Sequence, residues 1–303
     1  MKLGFVSAIL PDLDLDELLR FAAGEGFDCV ELMCWPVGKA ERKYAGVTHV
    51  DVSEFSKGRA DDILGLAERH RVEISALGYY PNLLDGDAGR AAAALRHLKR
   101  VISAAPLLGL STVNTFIGAD HRRNVEENFR KFLKIWPPIV RHAEARGVRI
   151  GIENCPMLFT FDEWPSGKNL GYSPALWRRM FAAIRSDSFG LNYDPSHLVW
   201  QFMDYLRPIA EFKSKLFHVH AKDMLIQREK LDDHGILALG WSTPKVPGYG
   251  EIDWGRFCSA LSEVGYDGPV CIEVEDDAFG KSLAGRQRAL RIARNSLKPF
   301  FEK

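Results

Sequence analysis

Four polar side chains stand at the ends of four separate apolar runs: Glu153 after VRIGI, Asp194 after FGLNY, His220 within KLFHVHAKD, and Glu273 after PVCI. A carboxylate or imidazole at the end of a buried strand costs free energy unless it is paired or bound to something. Brought to one mouth, these four side chains would offer oxygen and nitrogen donors with up to three negative charges. Hard and borderline divalent cations prefer such a donor set. Mn2+ is the expected ion, with Mg2+ and Co2+ as alternatives; zinc fits less well without more histidine or a thiolate. Taken singly, a glutamate at a strand end is more often a solvated or salt-bridged residue. Four such groups on nearby units of one chain make coincidence a poor explanation.

Other residues carry weaker signals. Lys222 and Asp223 directly follow the His220 segment and could donate a proton or hold an oxyanion, though a charge pair at a loop start is as often a plain salt bridge. His218 shares its side-chain direction with His220, because strand residues two apart face one side. It reads as a hydrogen-bonded core histidine or as a group supporting His220. Trp35, Tyr79, Tyr80 and Trp241 fall on expected loops, where aromatic faces suit the C–H face of a pyranose or an aryl aglycone; rim packing is the plainer reading. Asn82, Asn114 and Asn154 could bond hydroxyl groups.

The elements that must position these residues alternate along the chain. Strand candidates are Lys2–Ser7, Cys29–Cys34, Val72–Leu77, Thr112–Ile117, Arg149–Glu153, Phe189–Tyr193, Leu216–Val219 and Val270–Val274. Helical periods fill Leu15–Gly24 (capped by Asp14), Ala60–His70, Ala88–Leu108, Asn124–Arg146, Pro174–Ile184, Tyr205–Phe212, Trp254–Val264 and Gly280–Phe300. Pro137–Pro138 is expected to break or kink the fourth helix. Eight strand–helix units favour a parallel α/β sheet closed into a (β/α)8 TIM barrel over an open doubly wound sheet, and no GxGxxG or P-loop pattern supports the latter. Two long loops, Pro36–Gly58 and Lys222–Asp253, would lie on the C-terminal face, where barrel active sites are built.

Composition narrows the function classes. The 303 residues, 46% of them hydrophobic, allow one large domain spanning 1–303. Lys plus Arg equals Asp plus Glu at 40 each, so no broad charge invites nucleic acid or an anionic membrane. The N-terminal MKLGFVSAIL reads as a first strand rather than a secretory signal, and no apolar stretch reaches membrane-span length. Five cysteines, odd in number and without a CxxC pair, point to reduced core residues and a cytoplasmic setting.

The segments IGIENCP, LNYDPSH, HVHAKD and CIEVED resemble the xylose-isomerase-like TIM barrels, the sugar phosphate isomerase/epimerase group, over essentially the whole chain. HGILALGW followed by PGYGEIDW is similar to a subgroup with an expanded loop after strand seven. The resemblance implies a metal held by Glu153, Asp194, His220 and Glu273, and a bound sugar touched by His197. It implies proton removal next to a carbonyl through an enediolate, with Glu153 and Glu273 as both ligands and acid/base pair. Trp35, Tyr79, Asn114, Lys222, Asp223 and Trp241 complete the expected substrate contacts. The chain departs from the ketose 3-epimerases at Phe159 and Ile226, where those enzymes carry a glutamate and an arginine; Glu163 and Arg228 are near but out of register. That departure keeps a second reading open, a 3-oxo-glycoside lyase like the catalytic subunits of C-glycoside deglycosidases. An AP-endonuclease-like enzyme would need more loop histidines and basic loops, and a sugar-sensing barrel would not need all four ligands. The expected partner is a small sugar, oxo-sugar or glycoside, unphosphorylated for want of a phosphate loop. A homo-oligomer is expected by resemblance, or a small partner subunit if the chain is a deglycosidase.

Overall fold

The structure is a computed structural model that describes residues 1–38, 46–158 and 167–301. Eight short apolar segments form a closed, all-parallel barrel: β1 (Lys2–Val6), β2 (Cys29–Met33), β3 (Glu73–Gly78), β4 (Thr112–Thr115), β5 (Arg149–Glu153), β6 (Phe189–Tyr193), β7 (Leu216–Ala221) and β10 (Pro269–Ile272). Their neighbour order is β1-β10-β7-β6-β5-β4-β3-β2. The α/β reading and the TIM-barrel closure both hold.

Local chemistry sets the helix starts. Asp14 accepts from the Glu17 backbone and Glu17 reaches back, opening α1 (Leu15–Glu25), which ends at left-handed Gly26, φ 71°. Asn124 and Glu127 do the same for α4 (Val125–Glu144). The surrounding layer continues with α2 (Lys57–His70), α3 (Ala88–Ala104), α5 (Pro174–Ala183), α9 (Trp254–Glu263) and α10 (Leu283–Leu297). The outward strand faces bury large side chains beneath these helices. Trp136 of α4 lies 5.6 Å from the Phe189 ring, and Trp177 of α5 meets Tyr193 edge-on at 6.0 Å.

Three expectations change. α4 runs unbroken through Pro137 and Pro138. The carbonyls those prolines leave without an N–H belong to Leu133 and Lys134, both exposed, where water can serve them. The helix expected over Tyr205–Phe212 shortens to α7 (Arg207–Glu211), preceded by the single turn α6 (Ser196–Val199). The long connection after β7 carries its own elements, an antiparallel hairpin of β8 (Asp223–Ile226) and β9 (Ser242–Lys245) with α8 (Arg228–His234) between them.

The barrel interior is polar. Glu31, Asn114, Asn192, His218 and His220 are all buried there. Space for them comes from glycine. A Cβ at Gly78 would stand 2.5 Å from Glu31 Oε1, and one at Gly151 would stand 2.5 Å from Asn114 Oδ1.

Candidate metal centre

Strand register carries the four sequence-selected residues to one end of the barrel. Glu153 closes β5, Asp194 follows β6, His220 lies on β7 and Glu273 follows β10. One potential ligand atom from each lies within 4.8 Å of the others. His220 Nδ1 is 3.3 Å from Glu273 Oε2 and 3.9 Å from Glu153 Oε1. Glu153, Asp194 and His220 are buried, and Glu273 is 19% exposed at its side chain.

The hydrogen bonds show which atoms are held in reserve. Asp194 Oδ1 accepts from the Ser196 backbone at 2.8 Å, while Oδ2 is buried and makes no hydrogen bond among the described residues, lying 3.3 Å from His197 Nε2 and 3.4 Å from Lys222 Nζ. His220 Nε2–H donates to Glu31 Oε2 at 2.7 Å, while Nδ1 is likewise buried and makes no hydrogen bond among the described residues, facing Glu273 Oε2. Buried polar atoms without a hydrogen bond are uncommon and call for an explanation. Here they converge, with two further carboxylates, on one point. Three carboxylates and one imidazole nitrogen suit a hard or borderline divalent cation, so the donor set fits a resident metal.

Glu31, in the middle of β2, escapes the pattern of strand ends. It is fully buried, takes a hydrogen bond from the Tyr80 hydroxyl, and fixes the His220 ring from behind. A carboxylate on the far nitrogen of a ligating histidine sets its tautomer and raises its basicity. Burial pushes the Glu31 carboxyl up, but the neighbouring His220 outweighs this and the net position is below the ordinary range. Asn192 supports the same network, donating to Tyr80 at 3.0 Å and accepting from His218 Nδ1 at 3.0 Å. Burial holds His218 down to about 4, so it stays neutral, with Ser75 on its other nitrogen at 3.1 Å. It is a hydrogen-bonded core histidine. Asn154 also serves the site indirectly, exchanging two 2.8 Å bonds with the Asp194 backbone.

Electrostatics at the mouth are balanced by Lys222. Its buried ammonium lies 3.1 Å from Glu273, 3.4 Å from Asp194 and 3.4 Å from Glu275. Burial lowers the Lys222 pKa, but these carboxylates outweigh it and hold the group well above the usual lysine range. Burial likewise raises the Glu153 and Glu273 carboxyls. His197, His220 and Lys222 outweigh this at Glu153, Lys222 and His220 at Glu273, and both end below the ordinary range. Glu275, another residue outside the strand-end pattern, is pushed up chiefly by burial. His197, on α6, accepts from the Trp200 indole at Nδ1 and directs Nε2 to within 3.3 Å of both Glu153 and Asp194.

A cavity of about 750 Å3 opens over this centre. Trp35, His197, Lys222 and Trp241 line it, as does Tyr80. The remaining expected contacts lie elsewhere. Tyr79 lines the neighbouring depression behind Trp35, its ring edge-on to Trp35 at 5.0 Å and to His97 at 4.6 Å. Asn114 is buried in the barrel on β4, and Asn82 is committed to Ala119 and Leu84 backbone groups. Asp223 is turned away from the cavity. Its carboxylate accepts from the backbones of Met224, Gly248 and Ile252 and from the Trp254 indole, so it ties down the hairpin instead of touching substrate. At the epimerase arginine position, Ile226 packs with Met224 and Trp241 in the hairpin, and Arg228 is exposed, 3.7 Å from Glu251. Phe159 and Glu163 lie outside the described residues.

An eight-stranded parallel barrel with acidic and imidazole donors at the C-terminal ends of successive strands defines the class. The chain belongs to the xylose isomerase-like TIM barrel family, whose model matches residues 19–299. The uncharacterized protein YfiH of Bacillus subtilis (strain 168) is 26% identical, over 91% of this chain and 93% of YfiH. Inosose dehydratase of Lacticaseibacillus casei is 32% identical over 103 residues, 33% of this chain and 35% of the dehydratase. Among solved structures, the IolI protein with a bound zinc atom has a TM-score of 0.71 at 18% identity, covering 100% of both chains. D-psicose 3-epimerase in the presence of D-fructose gives 0.71 at 17% identity, covering 98% of this chain and 99% of the epimerase. Both structural likenesses establish the shared barrel. Among the described residues, no helix is long and apolar enough to cross a membrane.

Proposed function

We propose that this chain is a divalent-metal-dependent enzyme that removes a proton next to the carbonyl of a sugar or oxo-sugar, as an isomerase or epimerase. The observation that carries the reading is the convergence of Glu153, Asp194, Glu273 and the bare Nδ1 of His220 under one cavity. Mn2+, or Mg2+ or Co2+, held by these four would act as a Lewis acid for the charge that develops on the carbonyl oxygen. Glu153 and Glu273 reach the centre from different strands, so one can take the proton and the other return it, giving an epimer or a shifted carbonyl. His197 Nε2–H stands beside both ligating carboxylates and would bond a substrate hydroxyl. The names of the relatives, an inosose dehydratase and a D-psicose 3-epimerase, agree with polyol substrates that carry a carbonyl.

The test is exchange of the substrate α-proton with deuterated solvent by Mn2+-loaded protein over a panel of ketoses, aldoses and oxo-sugars. Glu153→Gln and Glu273→Gln should each abolish exchange while the circular dichroism stays native. Undiminished exchange in either variant removes that residue from the base role.

Elimination from a 3-oxo-glycoside is the second reading. It is favoured by Ile226, which gives the epimerase arginine position to hairpin packing, and by Lys222, a buried donor beside Glu273. Free aglycone released from a 3-oxo-glycoside would select it; a changed sugar epimer would select the first.

A further inference from the structure

One wall of the cavity is unlike the metal-facing floor. His220 and Lys222 on the β7 segment, then Met224 on β8, all line the cavity, following the alternation of an extended chain. Beyond Met224 the wall is made by Trp200, Leu239, Trp241 and Pro244. Met224, Ile226 and Trp241 form a separate apolar cluster that includes Trp200 at its edge. Trp241 is held firmly: it stacks on Phe202 at 5.7 Å and meets Trp200 at a steep angle at 6.3 Å. Its indole N–H is buried and has no hydrogen-bond partner among the described residues. Tryptophan N–H groups usually find an acceptor when buried, so a polar group inserted into this wall would satisfy a donor that now lacks one.

Size and charge narrow the ligand. The volume of about 750 Å3 lies in the range of pockets that enclose drug-sized molecules, and a single sugar ring over the carboxylates would leave most of it unfilled. Glu275 and Asp277 add carboxylates to a lining that also holds Lys168, and the Lys222 ammonium is already set among three carboxylates. Carboxylates outnumber lysines in the lining, which disfavours an anionic extension such as a phosphate.

We propose that the hairpin wall is a second subsite, taking the planar apolar aglycone of an uncharged glycoside, with a hydrogen-bond acceptor on that aglycone satisfying Trp241 Nε1–H. This deepens the reading above and rests on it for the placement of the sugar over the four carboxyl and imidazole groups.

Calorimetric titration of Mn2+-loaded protein with methyl, phenyl and 4-acetylphenyl glucosides, both anomers of each, tests the subsite. Burial of one aromatic ring should make phenyl about tenfold tighter than methyl. The added acceptor should give 4-acetylphenyl a further gain of about fivefold, and Trp241→Phe, which keeps an aromatic face without the N–H, should remove that gain. Affinities equal within about threefold, or no binding by any of the three, overturn the proposal. Should Trp241→Phe fail to fold, the wild-type ratio of phenyl to methyl decides alone. Solvent exchange on the free oxo-sugars is read separately. Exchange without aryl preference sinks only the subsite, and aryl preference without exchange sinks only the reaction.

Discussion

The two ring nitrogens of His220 have different fates, and Glu31 decides which is which. The 2.7 Å bond from Nε2 to Glu31 leaves Nδ1 bare toward Glu153 and Glu273. Glu31→Gln should therefore lower divalent-metal affinity by about 10–100-fold, read by chelator competition, with little change in secondary structure. Unchanged affinity would make Glu31 a plain buried partner. The four donors are legible in the sequence because each ends an apolar run, but Glu31 is not. It lies inside CVELM, and an apolar run does not say which of its side chains crosses the barrel to meet a histidine 189 positions away. Asp223 fails in the opposite sense. Adjacency to Lys222 suggests the cavity, yet neighbouring residues on an extended chain face opposite ways, and Asp223 points into the hairpin's own backbone.

At the scale of elements, one carboxylate draws together the two ends of the excursion after β7. Asp223 accepts from three backbone N–H groups and one indole between Met224 and Trp254. Hydrogen bonds to a charged group contribute roughly 1.5–3 kcal/mol each. Asp223→Ala should loosen the hairpin locally, and limited proteolysis should then cut between residues 228 and 241 while the barrel's circular dichroism persists. Resistance equal to wild type would show that Met224, Ile226 and Trp241 hold the hairpin without it. Gly151 sets a second constraint, since a Cβ there would strike Asn114 Oδ1 and crowd the Asn192 backbone. Gly151→Ala should cost about 1–3 kcal/mol in denaturant unfolding, the usual range for overpacking. A neutral result would mean the interior layer shifts freely. The alternation of strands and helices reads directly from periodicity, whereas the hairpin within the loop does not. Its strands are four residues each, and STPK has no apolar run to pair with the short one in DMLI.

For the whole molecule, barrel closure is what turns four distant strand ends into one site. The carboxylates at residues 153, 194 and 273 would repel one another on folding, and Lys222 and His220 offset this. A bound cation would offset it further and stabilise the native state by mass action, by about 2.7 kcal/mol at roughly 100 times Kd. The melting temperature should accordingly rise with added Mn2+ and return on chelation. The most direct measurement is elemental analysis of protein loaded with Mn2+ and then dialysed, wild type beside Asp194→Asn and His220→Gln. One divalent ion per chain in the wild type, lost in both variants, is the predicted result. A metal-free wild type, or equal metal content in all three proteins, would contradict the metal centre and the chemistry built on it.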